Sequence, residues 1–220
     1  MWEYGVCRKI IISAGHIFKD TRMSNWVVSR YNHDISYLRE YVKGGDTILA
    51  LYDRSENPLP DSIKVPNIGS DLYDKFSFII DNYENLPDAA IYTKANLLKY
   101  ISKEEFELVK ENKTYTPLLT RHHRTYFPVC WYENGLFAER QDYWYLNVHP
   151  AKYENEIREI FKMDERKYNL FAPGSNYILP RENILKHLKS FYEQLRSYLD
   201  WSVYPGDAQL LERNLWYLWQ

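Results

Sequence analysis

Cysteine is scarce in this chain: Cys7 and Cys130 are the only two in 220 residues. Two thiols cannot build a disulfide framework or a cysteine zinc site, so a reduced, intracellular protein is the expectation, with the cytoplasm as its compartment. Long apolar runs are missing as well. No stretch reaches the roughly 18 residues that a membrane span needs, and Ile10-Ile11-Ile12 is too short for the apolar part of a secretion signal. Neither sign of charge dominates, since 28 basic and 30 acidic residues leave a net charge of −2. A global basic field that would recruit nucleic acid or an anionic membrane is therefore excluded, although a local patch is not. The sequence patterns of phosphate-binding loops, dinucleotide folds, zinc proteases and serine hydrolases do not occur.

What the chain has in quantity is aromatic residues, 17% in all, with 21 tyrosines and 7 tryptophans. Their flat faces and polar tips suit sugars and bases, but on composition alone a Tyr-rich core and surface is the stronger reading. With 45% hydrophobic and 26% charged residues, the chain can bury one substantial core and is short for two. Residues 1–22 lack a strand–turn–helix grammar. They are expected to be an extension of uncertain status ahead of a domain spanning 23–220.

From Asn25 the pattern is clear. Trp26-Val27-Val28-Ser29 reads as a strand, and Asp34 as the N-cap of a helix carrying Ile35, Leu38, Tyr41 and Val42. Thr47 to Tyr52 is a second strand closing on Asp53, and Ile63 to Asn67 an extended segment. Gly69-Ser70-Asp71 opens a helix with Leu72, Phe76, Ile79, Ile80 and Tyr83 on its apolar face. Ala90-Ile91-Tyr92 then begins a third buried strand that ends in Lys94-Ala95-Asn96. The order strand–helix–strand–strand–helix–strand, with near-continuously apolar strands, predicts an α/β fold with a sheet buried between helices. Ligands of such sheets bind at the loops leaving the carboxyl ends of the strands. Those ends here are Ser29–Asn32, Tyr52–Asp53 and Lys94–Asn96, all polar. Further on, the periodicity predicts a short helix over 102–112, a surface helix over 152–163, one long helix from Arg181 to about Leu199 and a last helix opened by Pro205-Gly206-Asp207.

Two clusters call for a choice between chemistry and structure. Arg121-His122-His123-Arg124 is a poor chelating pair, because adjacent histidines on a strand point to opposite sides. A solvated basic loop is the stronger reading, and phosphate contact is the functional one. Asp207 stands where a helix cap belongs, yet the same place could fix a carboxylate to take a proton from an attacking hydroxyl. Glu212-Arg213 reads equally well as an ordinary salt-bridged pair.

Several segments together resemble one family: Val27 to Asn32, Val65 to Gly69, Ile79 to Asp88, Ile91 to Asn96, Pro173 to Pro180, and Pro205-Gly206-Asp207 through Glu212-Arg213. They are similar to a glycosyltransferase-like family of fungal, bacterial and large-virus proteins, which includes the N-terminal glycosyltransferase domain of a chlorella-virus protein that builds capsid glycans. The likeness runs from about Asn25 to Trp219, and Asp81-Asn82-Tyr83-Glu84-Asn85-Leu86-Pro87-Asp88 is its most specific part. It implies a single GT-A-like domain, a mixed sheet flanked by helices, that moves a sugar from a UDP-type donor to a glycan hydroxyl, with capsid or surface glycan synthesis as the setting. By the same resemblance Ser29, Arg30 and Asn32 border the nucleotide and Tyr52 and Asp53 lie near base and ribose. Gly174, Ser175 and Asn176 border the sugars, and Asp207 matches the candidate base. Lys94-Ala95-Asn96 takes the place of the metal-binding Asp-x-Asp motif. Without those aspartates, Lys94 is expected to neutralise the leaving diphosphate, and Asn96 to lend one oxygen to a weak Mn²⁺ or Mg²⁺ site. The alternative is a non-catalytic nucleotide- or glycan-binding module. A nucleic-acid role through Arg121–Arg124 is the weakest reading, and no nucleic-acid partner is expected.

Overall fold

The computed structural model describes residues 24–120, 128–133, 136–141 and 149–220. The extension and the Arg121–Arg124 cluster lie outside them. The first strands form as their composition requires: β1 (Asn25–Arg30), β2 (Thr47–Asp53), β3 (Ile63–Lys64) and β4 (Ala89–Lys94) pair side by side and parallel. Two further strands, β5 (Thr116–Pro117) and β9 (Tyr177–Pro180), extend the sheet antiparallel beyond β4, giving the order β3-β2-β1-β4-β9-β5. The fold is thus mixed α/β, with a mixed sheet between helices.

Side chains alternate along each strand, so each face of the sheet acquires its own core. On one face Trp26, Val28 and Ile91 pack against α1 (Ser36–Lys43) and α3 (Lys103–Val109) through Leu38 and Phe106. On the other, Val27, Ala50 and Tyr92 meet α2 (Ser70–Asp81), α6 (Lys189–Ser197), α7 (Gly206–Glu212) and α8 (Leu215–Trp219). A register slip between Trp26 and Val27 puts Ile48 and Leu51 on the same face of β2.

The chain runs outward from β1 through α1 to β2 and β3, then returns across α2 on the opposite face to β4. The direction of winding reverses between β1 and β4, and the gap there at their carboxyl ends is where such sheets hold ligands. A separate antiparallel sheet of β6 (Cys130–Glu133), β7 (Leu136–Arg140) and β8 (Tyr168–Phe171) is tied to α7 by the Arg213–Glu139 ion pair at 2.5 Å. Cys130 is buried on this sheet.

Element boundaries differ from the periodicity in four places. Asp34 caps α1 from one residue further out than expected, accepting the Ser36 N–H at 3.0 Å while Ile35 holds the N-cap position. The expected long helix is two, α5 (Arg181–Ile184) and α6, because two carbonyls at the junction are claimed by tyrosine hydroxyls: Tyr192 donates to Ile184 O at 2.9 Å and Tyr83 to His187 O at 2.5 Å. The last helix likewise divides into α7 and α8 at Asn214, whose amide donates to Leu210 O at 2.7 Å and so competes with the helix ladder. The helix over 152–163 shortens to α4 (Glu154–Ile160). No helix among the described residues is long and apolar enough to cross a membrane.

Candidate functional site

A cleft of about 430 Å³ opens at the β1/β4 switch point. Ser29 and Arg30 enter it from the end of β1, Lys94 and Asn96 from the end of β4, and Ser70 and Asp71 from the first turn of α2. Tyr31, Tyr100 and Tyr204 add aromatic wall. The two strand ends are locked together, since the Ala95 N–H donates to Ser29 O at 2.8 Å. The start of α2 is fixed by Gly69 at φ 66°, where an added Cβ would lie 2.8 Å from Tyr73 Cβ and 2.9 Å from Leu199 Cβ. Only glycine satisfies both the left-handed backbone and the close packing.

The charges of the cleft are arranged in pairs. Arg30 Nη1 lies 2.5 Å from Asp53, which also accepts from the Ser55 and Leu59 amides at 3.0 Å each. Arg54 grips Asp74 with two bonds of 2.8 and 2.7 Å, and Ser29 Oγ donates to the same carboxylate. Both aspartates are buried, so these two arginines arrive already neutralised.

Asp71 is shared differently. Its Oδ2 meets the fully buried Lys75 Nζ at 2.6 Å and the Ser175 hydroxyl at 2.5 Å, and its Oδ1 meets Lys94 Nζ at 3.1 Å. Burial works to raise the Asp71 pKa, but the Lys75 and Lys94 ammoniums overcome it and hold the carboxyl well below its usual range. Burial likewise works against the charge on Lys94, and Asp71 with Glu212 more than offsets it, leaving the pKa raised. Lys94 is therefore cationic at neutral pH, a quarter exposed, and set 5.7 Å from the Tyr100 ring centroid. Lys99, exposed on the same wall, has no carboxylate partner among the described residues.

Of the residues expected from the sequence, Ser29, Arg30, Lys94 and Asn96 do come together in the cleft. Gly174, Ser175 and Asn176 do not line it but brace it from behind. Asn176 Oδ1 accepts from the Lys94 N–H at 2.9 Å and Thr93 Oγ1 at 3.0 Å, Ser175 holds Asp71, and the Gly174 N–H donates to Glu212 at 2.8 Å. The other expected residues sit elsewhere. Tyr52 is buried in the core, Asp53 is committed to Arg30 and to the loop after β2, and Asn32 is an exposed turn residue at φ 53° off the cleft wall. Asp207 is fully buried, and its oxygens accept from the Lys152 and Tyr153 amides at 3.0 and 2.7 Å and from Trp201 Nε1 at 2.9 Å. It is a clamp on the 150–153 loop and does not reach the cleft. Arg213 takes Glu139 in preference to Glu212, from which it stands 3.9 Å away. The Asp81–Asp88 segment leads into the opposite end of β4 from the cleft.

Sequence reasoning missed Arg54, Asp71, Asp74 and Lys75. Asp71, Asp74 and Lys75 lie on α2 among Leu72, Phe76, Ile79 and Ile80, and Arg54 in the loop after β2, and only the fold brings them together.

The donor set does not fit a protein-held divalent cation. Such an ion takes about six oxygens, carboxylates first among them. Among the described residues the Asn96 Oδ1 is buried without a hydrogen-bond partner, but Asp71 is the one carboxylate on the cleft wall and is held by two ammoniums and two hydroxyls, those of Ser175 and Ser70. Comparison of the chain with protein-family models, with curated proteins and with solved structures finds no match.

Proposed function

We propose that this protein is a GT-A-like glycosyltransferase that moves a sugar from a UDP-type nucleotide-sugar to a glycan hydroxyl. The observation that carries the reading is the cationic Lys94 at the β1/β4 switch point, inside a cleft with aromatic walls. Its volume falls within the roughly 300–1,000 Å³ typical of small-molecule sites. In a sugar transfer of this kind the bond between the anomeric carbon and the diphosphate breaks, and negative charge grows on the departing phosphate oxygen. A fixed ammonium stabilises that charge more in the transition state than in the ground state. Tyr31 and Tyr204, both exposed at the cleft, offer faces to a base or a sugar ring.

A second reading, a nucleotide- or glycan-binding module without catalysis, is favoured by the burial of Asp207, which leaves the cleft without the expected base. One experiment separates the two. A thermal-shift screen of UDP, GDP and their sugars identifies the nucleotide, and a UDP-release assay with the stabilising donor follows. Stabilisation with UDP release supports transfer, stabilisation without it supports the module, and no stabilisation by any nucleotide sinks transfer and leaves only a module that binds glycan.

A further inference from the structure

We propose that Lys75, which does not line the cleft, is a positioning residue for a diphosphate subsite formed by Lys94 and Lys99, and that this subsite works without a protein-held divalent cation. The inference rests on reading the cleft as a nucleotide-diphosphate site.

Asp71 divides its two oxygens between two lysines. An aspartate paired with a single lysine is a neutral unit that retains its partner and offers an incoming anion nothing. Here Lys75 is buried one helical turn along α2 and takes Oδ2 at 2.6 Å, while its other bonds go to the carbonyl and hydroxyl of Ser175. Lys94 reaches Oδ1 only, at 3.1 Å, and keeps part of its surface on the cleft. Burial pushes the Lys75 pKa down against the pull of Asp71, but its Nζ meets three acceptors, as an ammonium's three donors do. Two ammoniums around one carboxylate therefore leave the triad with one positive charge, and Lys99 brings another to the same wall. The arginines nearby add none, because Asp53 and Asp74 cancel them. Glu212 acts on both Lys94 and Lys75 from behind, but it sits off the cleft wall, held by the Gly174 amide and 3.9 Å from Arg213, so an incoming anion meets the lysines and not this carboxylate. Two ammonium charges thus stand where a divalent cation would otherwise neutralise a diphosphate, and they occupy the position least hospitable to a second cation.

Isothermal titration with inorganic pyrophosphate and with UDP, each in EDTA and in millimolar Mg²⁺, tests this. Wild type binds both ligands in EDTA, and Mg²⁺ does not tighten UDP. Lys75→Met lowers pyrophosphate affinity by about tenfold or more, as loss of one nearby charge requires. Adding Asp71→Asn to Lys75→Met frees Lys94 and restores affinity to near the wild-type value. A purely structural lysine would show no such rescue in the folded protein. Should Lys75→Met alone not fold, the double variant and Asp71→Asn carry the test, the latter binding pyrophosphate more tightly than wild type. Unchanged affinity in Lys75→Met, weaker binding in Asp71→Asn, or strong tightening of UDP by Mg²⁺ overturns the proposal while leaving the nucleotide reading intact. Absence of UDP binding in wild type overturns the nucleotide reading itself.

Discussion

The indole nitrogen of Trp201 donates to Oδ2 of Asp207 at 2.9 Å. That bond, with two backbone amides on the same carboxylate, makes the head of α7 a joint between loops. Asp207→Ala should leave three part-buried donors without their acceptor and lower stability by about 1–3 kcal/mol. Urea unfolding reads this, and UDP affinity of the folded variant should stay at the wild-type value. A variant with wild-type stability and lost turnover would return Asp207 to the chemistry.

Lys94→Ala should behave in the opposite way. The ammonium is partly exposed, and if it serves the charge of a departing diphosphate, as proposed, turnover should fall by about 100-fold, as for loss of one electrostatic stabiliser, with a much smaller change in the unfolding midpoint. Equal turnover in the two proteins would remove Lys94 from the mechanism.

Arg54→Leu breaks a buried bidentate pair and strands Asp74, which should cost about 3–5 kcal/mol. Adding Asp74→Leu should recover most of that loss, because the uncompensated charge goes with it. A double variant no more stable than the single one, measured by denaturant unfolding, would contradict this account.

Acid should unfold the protein partly through Asp71. Its folded pKa is depressed by Lys75 and Lys94, so the native state binds fewer protons than the unfolded chain once pH falls below the unfolded value of about 3.9. The stability Asp71 contributes is complete above that value and declines below it. Unfolding midpoints between pH 6 and pH 2.5 should show a shallower acid slope in the Asp71→Asn, Lys75→Met double variant.

Gly174→Ala should disturb the cleft from behind. The residue sits at φ 92°, and an added Cβ would fall 2.5 Å from Cε1 of Tyr100, a ring on the cleft wall. Stability should drop by about 1–3 kcal/mol and UDP affinity should drop with it. Adding Tyr100→Ala removes the clash but not the backbone strain, so it should recover part of the stability alone.

The sheet was legible because buried parallel strands are nearly all apolar: Val27-Val28, Ile48 to Tyr52 and Ala90 to Tyr92 each end at a polar residue. The cleft was legible where it is built from those ends, at Ser29 and Lys94. Asp53 was misread because Arg30 reaches it across parallel pairing, in which the two are register partners, and no spacing along the chain announces a neighbour 23 residues away. The charged face of α2 was misread for a related reason. Helical periodicity registers apolar positions, and Asp71, Asp74 and Lys75 look solvated until Arg54, Ser175 and Lys94 arrive from other elements. The break at Asn214 depends on a side chain competing with its own helix, which hydrophobic patterning does not record.

The antiparallel course of β9 has a consequence for how the chain meets the cleft. Parallel strands deliver only their carboxyl ends to the ligand side, whereas β9 runs the other way and brings its beginning there: Tyr177 sits opposite Tyr92, and Asn176 reaches the Lys94 amide. The whole excursion between Ala95 and Ser175 therefore leaves from the rim of the cleft and returns to it. Its first residues, Asn96, Lys99 and Tyr100, are themselves cleft wall, and Phe106 and Leu118 further along are core, so one stretch of chain supplies both wall and packing. Both ends of that stretch are anchored in the sheet beside Lys94, so a single pairing, β4 with β9, sets where the chain leaves the cleft and where it comes back.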